Sequence, residues 1–152
     1  MLEVTLELTP LDAETIDVSH AGFIALRGEQ GAADSRSVDQ PSMVLVDMVQ
    51  FMAGVRLLFT GDARGFRMMA QGSAFELAFQ RTSQTGLAIA AQGELIEHGE
   101  VAQMADAILA AARTLWTDAR PRLRQDDSAI IDIEAEFEVF EAFVAGLGGT
   151  PG

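Results

Sequence analysis

Cysteine, lysine and tyrosine are absent from this chain of 152 residues, and tryptophan occurs once. Without cysteine there is no disulfide, no thiolate metal ligand and no cysteine nucleophile, a composition that fits a reducing compartment and makes the cytoplasm the expected location. Without lysine, every positively charged side chain is an arginine. Histidine is nearly missing too, with His20 and His98 alone. No long apolar run is present either. The longest, residues 43–59, is broken by Asp47, Gln50 and Arg56. It is short for a bilayer and reads as a buried helix. The first ten residues, MLEVTLELTP, alternate and hold no basic cluster, which is not the pattern of a signal peptide.

Basic residues are also missing from both ends. Residues 1–17 carry Glu3, Glu7, Asp12, Glu14 and Asp17, and residues 126–152 carry Asp126, Asp127, Asp132, Glu134, Glu136, Glu138 and Glu141, with no arginine in either stretch. The formal charge of −13 therefore divides as −5, −1 and −7 along the chain. Such a balance argues against nucleic acid and anionic membranes as partners, because both repel it. Apolar residues make up 49%, too many for a disordered acidic tail. The length suits one domain, expected over 1–145, with GLGGTPG (146–152) as a flexible tail.

Periodicity predicts an α+β domain with a single antiparallel sheet, a strand-rich N-terminus, a central apolar helix and two C-terminal helices. Leu2, Val4, Leu6 and Leu8 alternate with Glu3, Thr5, Glu7 and Thr9, as in a strand with one wet face. Ile16 and Val18 suggest a short second strand, His20-Ala21-Gly22 a turn, and Phe23 to Arg27 a third strand. Residues 28–40 are polar and read as a loop. A helix is expected from Pro41-Ser42 to about Phe59. Three alternating strands follow, around Phe66–Ala70, Phe75–Gln80 and Leu87–Ala91, as an antiparallel meander to which Leu95-Ile96 adds a short strand. Glu100 to Ala119 keeps the i, i+3, i+4, i+7 apolar spacing of a helix.

Residues 128–145 fit both periods. Ile131, Ile133, Ala135, Phe137 and Val139 alternate with carboxylates, while Ile130, Ile133, Phe137, Phe140 and Val144 keep helical spacing. Length favours a helix, as do Asp126, Asp127 and Ser128 as caps and Gly146 as a stop. A strand would line four carboxylates on one face, which is unfavourable.

The chemical motifs are sparse. Asp132, Glu134, Glu136, Glu138 and Glu141 form an acidic run with like charges at helical spacing, which costs about 0.2–0.5 kcal/mol per pair. Its plain reading is a solvated face that keeps the protein soluble. Its functional reading is a docking face for a cationic protein, joined by Glu3 and Glu7 if the chain ends meet. Arg120-Pro121-Arg122-Leu123-Arg124 reads as neutralising a helix end and pairing with Asp126 and Asp127. His98 between Glu97 and Glu100 matches no metal-ligand spacing. Asp17, Ser19 and His20 are too close in sequence to build a triad unaided, and no serine sits in a Gly-x-Ser-x-Gly elbow. No catalytic residue, cofactor or metal is assigned.

From Asp47 to Ala91 the chain reads DMVQFMAGVRLLFTGDARGFRMMAQGSAFELAFQRTSQTGLAIAA, an acidic residue opening an apolar helix, then a turn, then strands of the type Phe75-Glu76-Leu77-Ala78-Phe79. This third of the chain resembles small bacterial proteins associated with toxin–immunity loci. The resemblance implies a non-enzymatic inhibitor of a cognate toxin and carries over no individual site residue. Immunity proteins of nuclease toxins are often acidic, in keeping with masking a cationic site. The expected partner is a protein with a basic surface, and a homodimer is compatible with it. The alternatives are a secretion chaperone of the type III kind and a small-ligand or enzymatic domain.

Overall fold

A computed structural model describes residues 1–10, 15–38, 40–70 and 72–148. Asp12, Glu14 and residues 149–152 of the expected tail lie outside the described residues. The N-terminal alternation forms β1 (Glu3–Leu8), with Leu6 buried and Glu3, Thr5 and Glu7 exposed. It pairs antiparallel with β2 (Ala21–Arg27), placing Leu6 opposite Ile24 and Val4 opposite Leu26. Short strands β3 (Ala32–Asp34) and β4 (Ser42–Met43) pair with the other edge of β2, so the segment 28–40 contains a strand and a 3-10 turn, Ser35–Val38.

The helix α1 (Val44–Thr60) follows at once. Val44, Leu45, Met48, Phe51, Met52, Val55 and Leu58 are all buried, so the helix needs cover on most of its circumference. That cover comes from both sheets and both other helices. The second sheet is a meander, β5 (Gly65–Met69), β6 (Glu76–Arg81), β7 (Gly86–Ala91) and β8 (Glu94–Glu100). Its inner face presents Met68, Leu77, Phe79, Leu87 and Ile89 to the core. Phe79 meets Phe51 of α1 edge-on, with ring centroids 5.1 Å apart, and stacks on Phe66 at 4.4 Å.

The α+β class and the antiparallel pairing agree with the sequence reading, but the strands fall into two four-stranded sheets where one was expected. The reason is α1, which stands between β4 and β5 in the chain and separates the two sets. The sheets meet at the Gly28–Gly31 turn, where the Gln30 amide donates to the Ile96 carbonyl at 3.1 Å. Ile16 makes only an isolated parallel bridge to Leu123 and no second strand forms there, because the Asp17–His20 turn follows directly. β8 is longer than the expected Leu95-Ile96, and it carries a bulge: Ala90 faces Leu95 while Ile89 faces Glu97. The bulge buries both Ile96 and Glu97.

Helix α2 (Val101–Ala119) buries the predicted stripe of Val101, Met104, Ala105, Ile108, Ala112 and Leu115. A 3-10 turn, Arg120–Arg122, follows it. Residues 128–145 resolve as helix: α3 spans Ala129–Gly148, and its Ile130, Ile133, Phe137 and Phe140 are buried against α1 and α2. Asp127 caps it by accepting from the Ala129 amide at 2.9 Å. Gly146 does not stop the helix, so the first residues of the expected tail are helical. No helix among the described residues is long and apolar enough to cross a membrane.

Gly54 of α1 lies against Phe66, and a Cβ there would overlap the phenyl ring. Gly54→Ala should therefore destabilise the fold by about 1–3 kcal/mol through overpacking, although alanine is the better helix former. Urea unfolding checks this, and an unchanged or raised midpoint would show that Phe66 has room to move.

A carboxylate-rimmed groove between two helices

Because α3 packs on α2 through Phe137, its flanking carboxylates stand over α2 side chains. Between the helices lies an open groove of about 410 Å³, lined by Arg113, Trp116, Thr117, Glu134, Phe137, Glu138 and Glu141. Trp116 is partly exposed and its ring lies 6.3 Å from that of Phe137, inclined to it by 29°. The floor is thus aromatic and the rim is mostly anionic.

The sequence places no base on α3, yet arginines from earlier elements reach it. Arg120 Nε lies 3.3 Å from Glu134 Oε2, and Arg113 Nη2 lies 3.3 Å from Glu141 Oε1. Both pairs are half exposed and contribute little to stability alone. Arg56 of α1 makes a two-point contact with Glu136, Nη2 to Oε1 at 2.8 Å and Nε to Oε2 at 3.1 Å. Glu136 is only 10% exposed, so this carboxylate holds α3 to α1 and is turned away from solvent. The Glu136 hydrogen bond raises the Arg56 pKa above its ordinary value, against the opposing effect of burial. Asp132 and Glu138 are exposed and, among the described residues, have no arginine within 4.0 Å.

The expected acidic face is therefore divided. Glu134, Glu138 and Glu141 share the groove, Asp132 lies on the other margin of α3, and Glu136 is structural. Glu3 and Glu7 are elsewhere, on the outer face of the first sheet, where they meet Arg27 at 3.9 Å and Arg36 at 2.7 Å. They are not neighbours of α3, because β1 packs on α2 by its opposite face. Nothing local in the sequence marks Trp116 as a groove floor. That role depends on where α3 crosses.

The other chemical candidates separate in the fold. The β8 bulge turns Glu97 inward, where it accepts from the Glu29 amide at 3.3 Å and sits 3.7 Å from the Met1 ammonium, while His98 points outward to Thr82 at 2.9 Å. Among the described residues no group of three or more histidine or acidic side chains is placed to hold a metal ion. Asp17 accepts from the amide and hydroxyl of Ser19, and His20 turns instead to Thr9 at 3.2 Å. These bonds build a turn and not a catalytic relay. The Ser19 hydroxyl, then its amide, holds the Asp17 carboxyl below the ordinary 3.8. The arginine cluster also disperses, with Arg122 on Asp118 at 3.1 Å, Arg124 on Asp126 at 3.3 Å and Arg120 on Glu134.

Compared with protein-family models, curated proteins and solved structures, the chain matches none.

Glu136→Gln should cost about 1.5–3 kcal/mol, the range for a lost charged hydrogen bond, because it leaves Arg56 partly buried beside a neutral amide. Arg56→Met should cost more than Glu136→Gln, since it strands Glu136, the more buried end of the pair, as an unpaired carboxylate beside an apolar side chain, whereas glutamine keeps an acceptor for Arg56. Thermal unfolding of both variants tests that order. In a carboxyl titration by NMR, Ser19→Ala should raise the Asp17 midpoint towards 3.8. The lowered Asp17 pKa gives a stabilisation present above the unfolded value and lost as pH falls through the folded one. It is small, because the group is at the surface.

Proposed function

We propose that the chain is a non-enzymatic protein-binding domain, an immunity protein that neutralises a bacterial toxin by covering the toxin's basic surface. The observation that carries this reading is the groove between α2 and α3. Trp116 and Phe137 offer an aromatic floor, and Glu138 adds an exposed carboxylate that has no arginine within 4.0 Å among the described residues. An arginine or lysine of a partner fits such a place, with its cation over an indole face and its donors on a carboxylate. Tryptophan is also the residue type most often found to dominate binding energy at protein interfaces.

Arg113 and Arg120 support the reading in a second way. They fix Glu141 and Glu134 before any partner arrives, so less side-chain freedom is lost on binding. The remaining negative field steers a cationic partner and raises its association rate more than its affinity. In this reading the site of action is the cytoplasm, which the absence of cysteine supports. The contact set narrows to Trp116, Glu134, Glu138 and Glu141, with Asp132 at its margin.

Co-expression with the toxic proteins encoded by neighbouring genes should restore growth in one pairing. Glu138→Arg should then slow association by about tenfold or more at low salt, with less effect at high salt. Trp116→Ala should cost about 2 kcal/mol or more of affinity. Circular dichroism establishes that both variants fold. No rescue in any pairing, or association rates unmoved by Glu138→Arg, would overturn the reading.

A further inference from the structure

The outer face of the second sheet has no covering element, and its relief is regular. One row across the four strands reads Arg67, Ala78, Ala90, Leu95, and the next reads Gly65, Gln80, Ala88, His98. The two inner strands thus present Ala78, Ala88 and Ala90, with Gln80 of β6 beside them, while Arg67 and Met69 on β5 and Leu95 on β8 stand up at the sides. The result is an open trough of about 490 Å³, edged by Arg64 and Arg67. Met69 is 52% exposed and Leu95 43% exposed. Arg64 has no carboxylate within 4.0 Å among the described residues, and Arg67 has only a loose one, Glu76 at 3.8 Å.

Helix α3 carries the complementary relief. Its face opposite the core shows Ile131, Ala135, Val139 and Ala142, all exposed, with Ile131 at 72%. The spacing of four, four and three keeps them in one apolar stripe. Asp132 borders the stripe on one side and Glu138 on the other, and among the described residues these two carboxylates of the run have no arginine within 4.0 Å.

We propose that this trough receives α3 of a second copy of the chain. Three strand spacings set its walls about 14 Å apart, and an α-helix with its side chains is about 10–12 Å across. Six-residue strands run about 20 Å, and Ile131 to Ala142 takes about 16 Å of helix. Alanines on the floor let the ridge of Ile131 and Val139 approach the sheet. Whichever way the helix runs, Asp132 or Glu138 meets the wall of Arg64 and Arg67. The two faces are different patches of the surface: a single exchange is head-to-tail and builds rings or open chains, and a reciprocal exchange of both helices closes a two-fold dimer.

The inference does not rest on the toxin-binding reading, and its test uses the chain alone. Sedimentation velocity of the whole protein at low salt should show species growing with concentration and receding as salt is added. Ala90→Glu fills and charges the trough, and Val139→Arg breaks the ridge; each variant alone should be monomeric. Mixed, they should form a one-to-one complex, because Ala90→Glu keeps its ridge and Val139→Arg keeps its trough. Circular dichroism shows that both are folded, and the more conservative pair Ala90→Ser and Val139→Thr replaces any that is not, with weakened association expected of each. A monomeric wild type at every concentration overturns the proposal. So does a mixture that stays monomeric, or a single variant that still associates as the wild type does.

Discussion

An apolar helix has to be covered on most of its circumference, and α1 sets that requirement for the whole chain. Seven of its large side chains are buried, and full burial of each is worth about 1.5–3 kcal/mol. One sheet cannot cover such a helix, and two sheets with two helices do. Only two charged side chains lie on α1, one near each end, and the fold answers both. Asp47 is fully buried and accepts from the Ser42 hydroxyl at 2.6 Å, while Arg56 grips Glu136. β4 is what brings Ser42 to Asp47, and α3 is what brings Glu136 to Arg56. The elements flanking α1 in space therefore answer to its polar groups as well as to its apolar ones.

That requirement explains the charge distribution. Acids gather at the C-terminal end of the chain and arginines in the middle because α3 closes over α1 and α2. Arg56, Arg113 and Arg120 come from three different elements and converge on one helix. The like-charge repulsion within α3 is offset from outside it, so a helix unfavourable by its own spacing becomes acceptable in place. Two carboxylates, Asp132 and Glu138, remain over, and they border the one part of α3 that the fold does not use.

Three surfaces are thus left with unspent chemistry: the aromatic groove, the α3 ridge and the trough on the meander sheet. Groove and ridge share Glu138, so a partner seated in the groove and a second copy on the ridge would contend for the same carboxylate. The trough stands apart, on the far face of the second sheet. Ala78, Ala88 and Ala90 make that face shallow, whereas the large apolar residues of the same two strands, Leu77, Phe79, Leu87 and Ile89, point inward.

Local pattern was enough for much of the fold. Strand alternation at Leu2–Thr9 and Phe75–Gln80, the helical stripe of α2, and the choice of helix over strand for residues 128–145 followed from period, length and capping, which are properties of neighbouring residues. The failures have one cause. The division into two sheets, the bulge that parts Glu97 from His98, the pairing of Glu134, Glu136 and Glu141, and the separation of Glu3 and Glu7 from α3 all depend on residues far apart in the chain. A count of charges says how many carboxylates a segment holds, but not which of them an arginine eighty residues earlier will reach, as Arg56 reaches Glu136. The sequence by itself determined an α+β chain with an acidic C-terminal helix; only the tertiary structure decided which acids are fastened and which are free, because ion pairing depends on distance in space and not on order along the backbone.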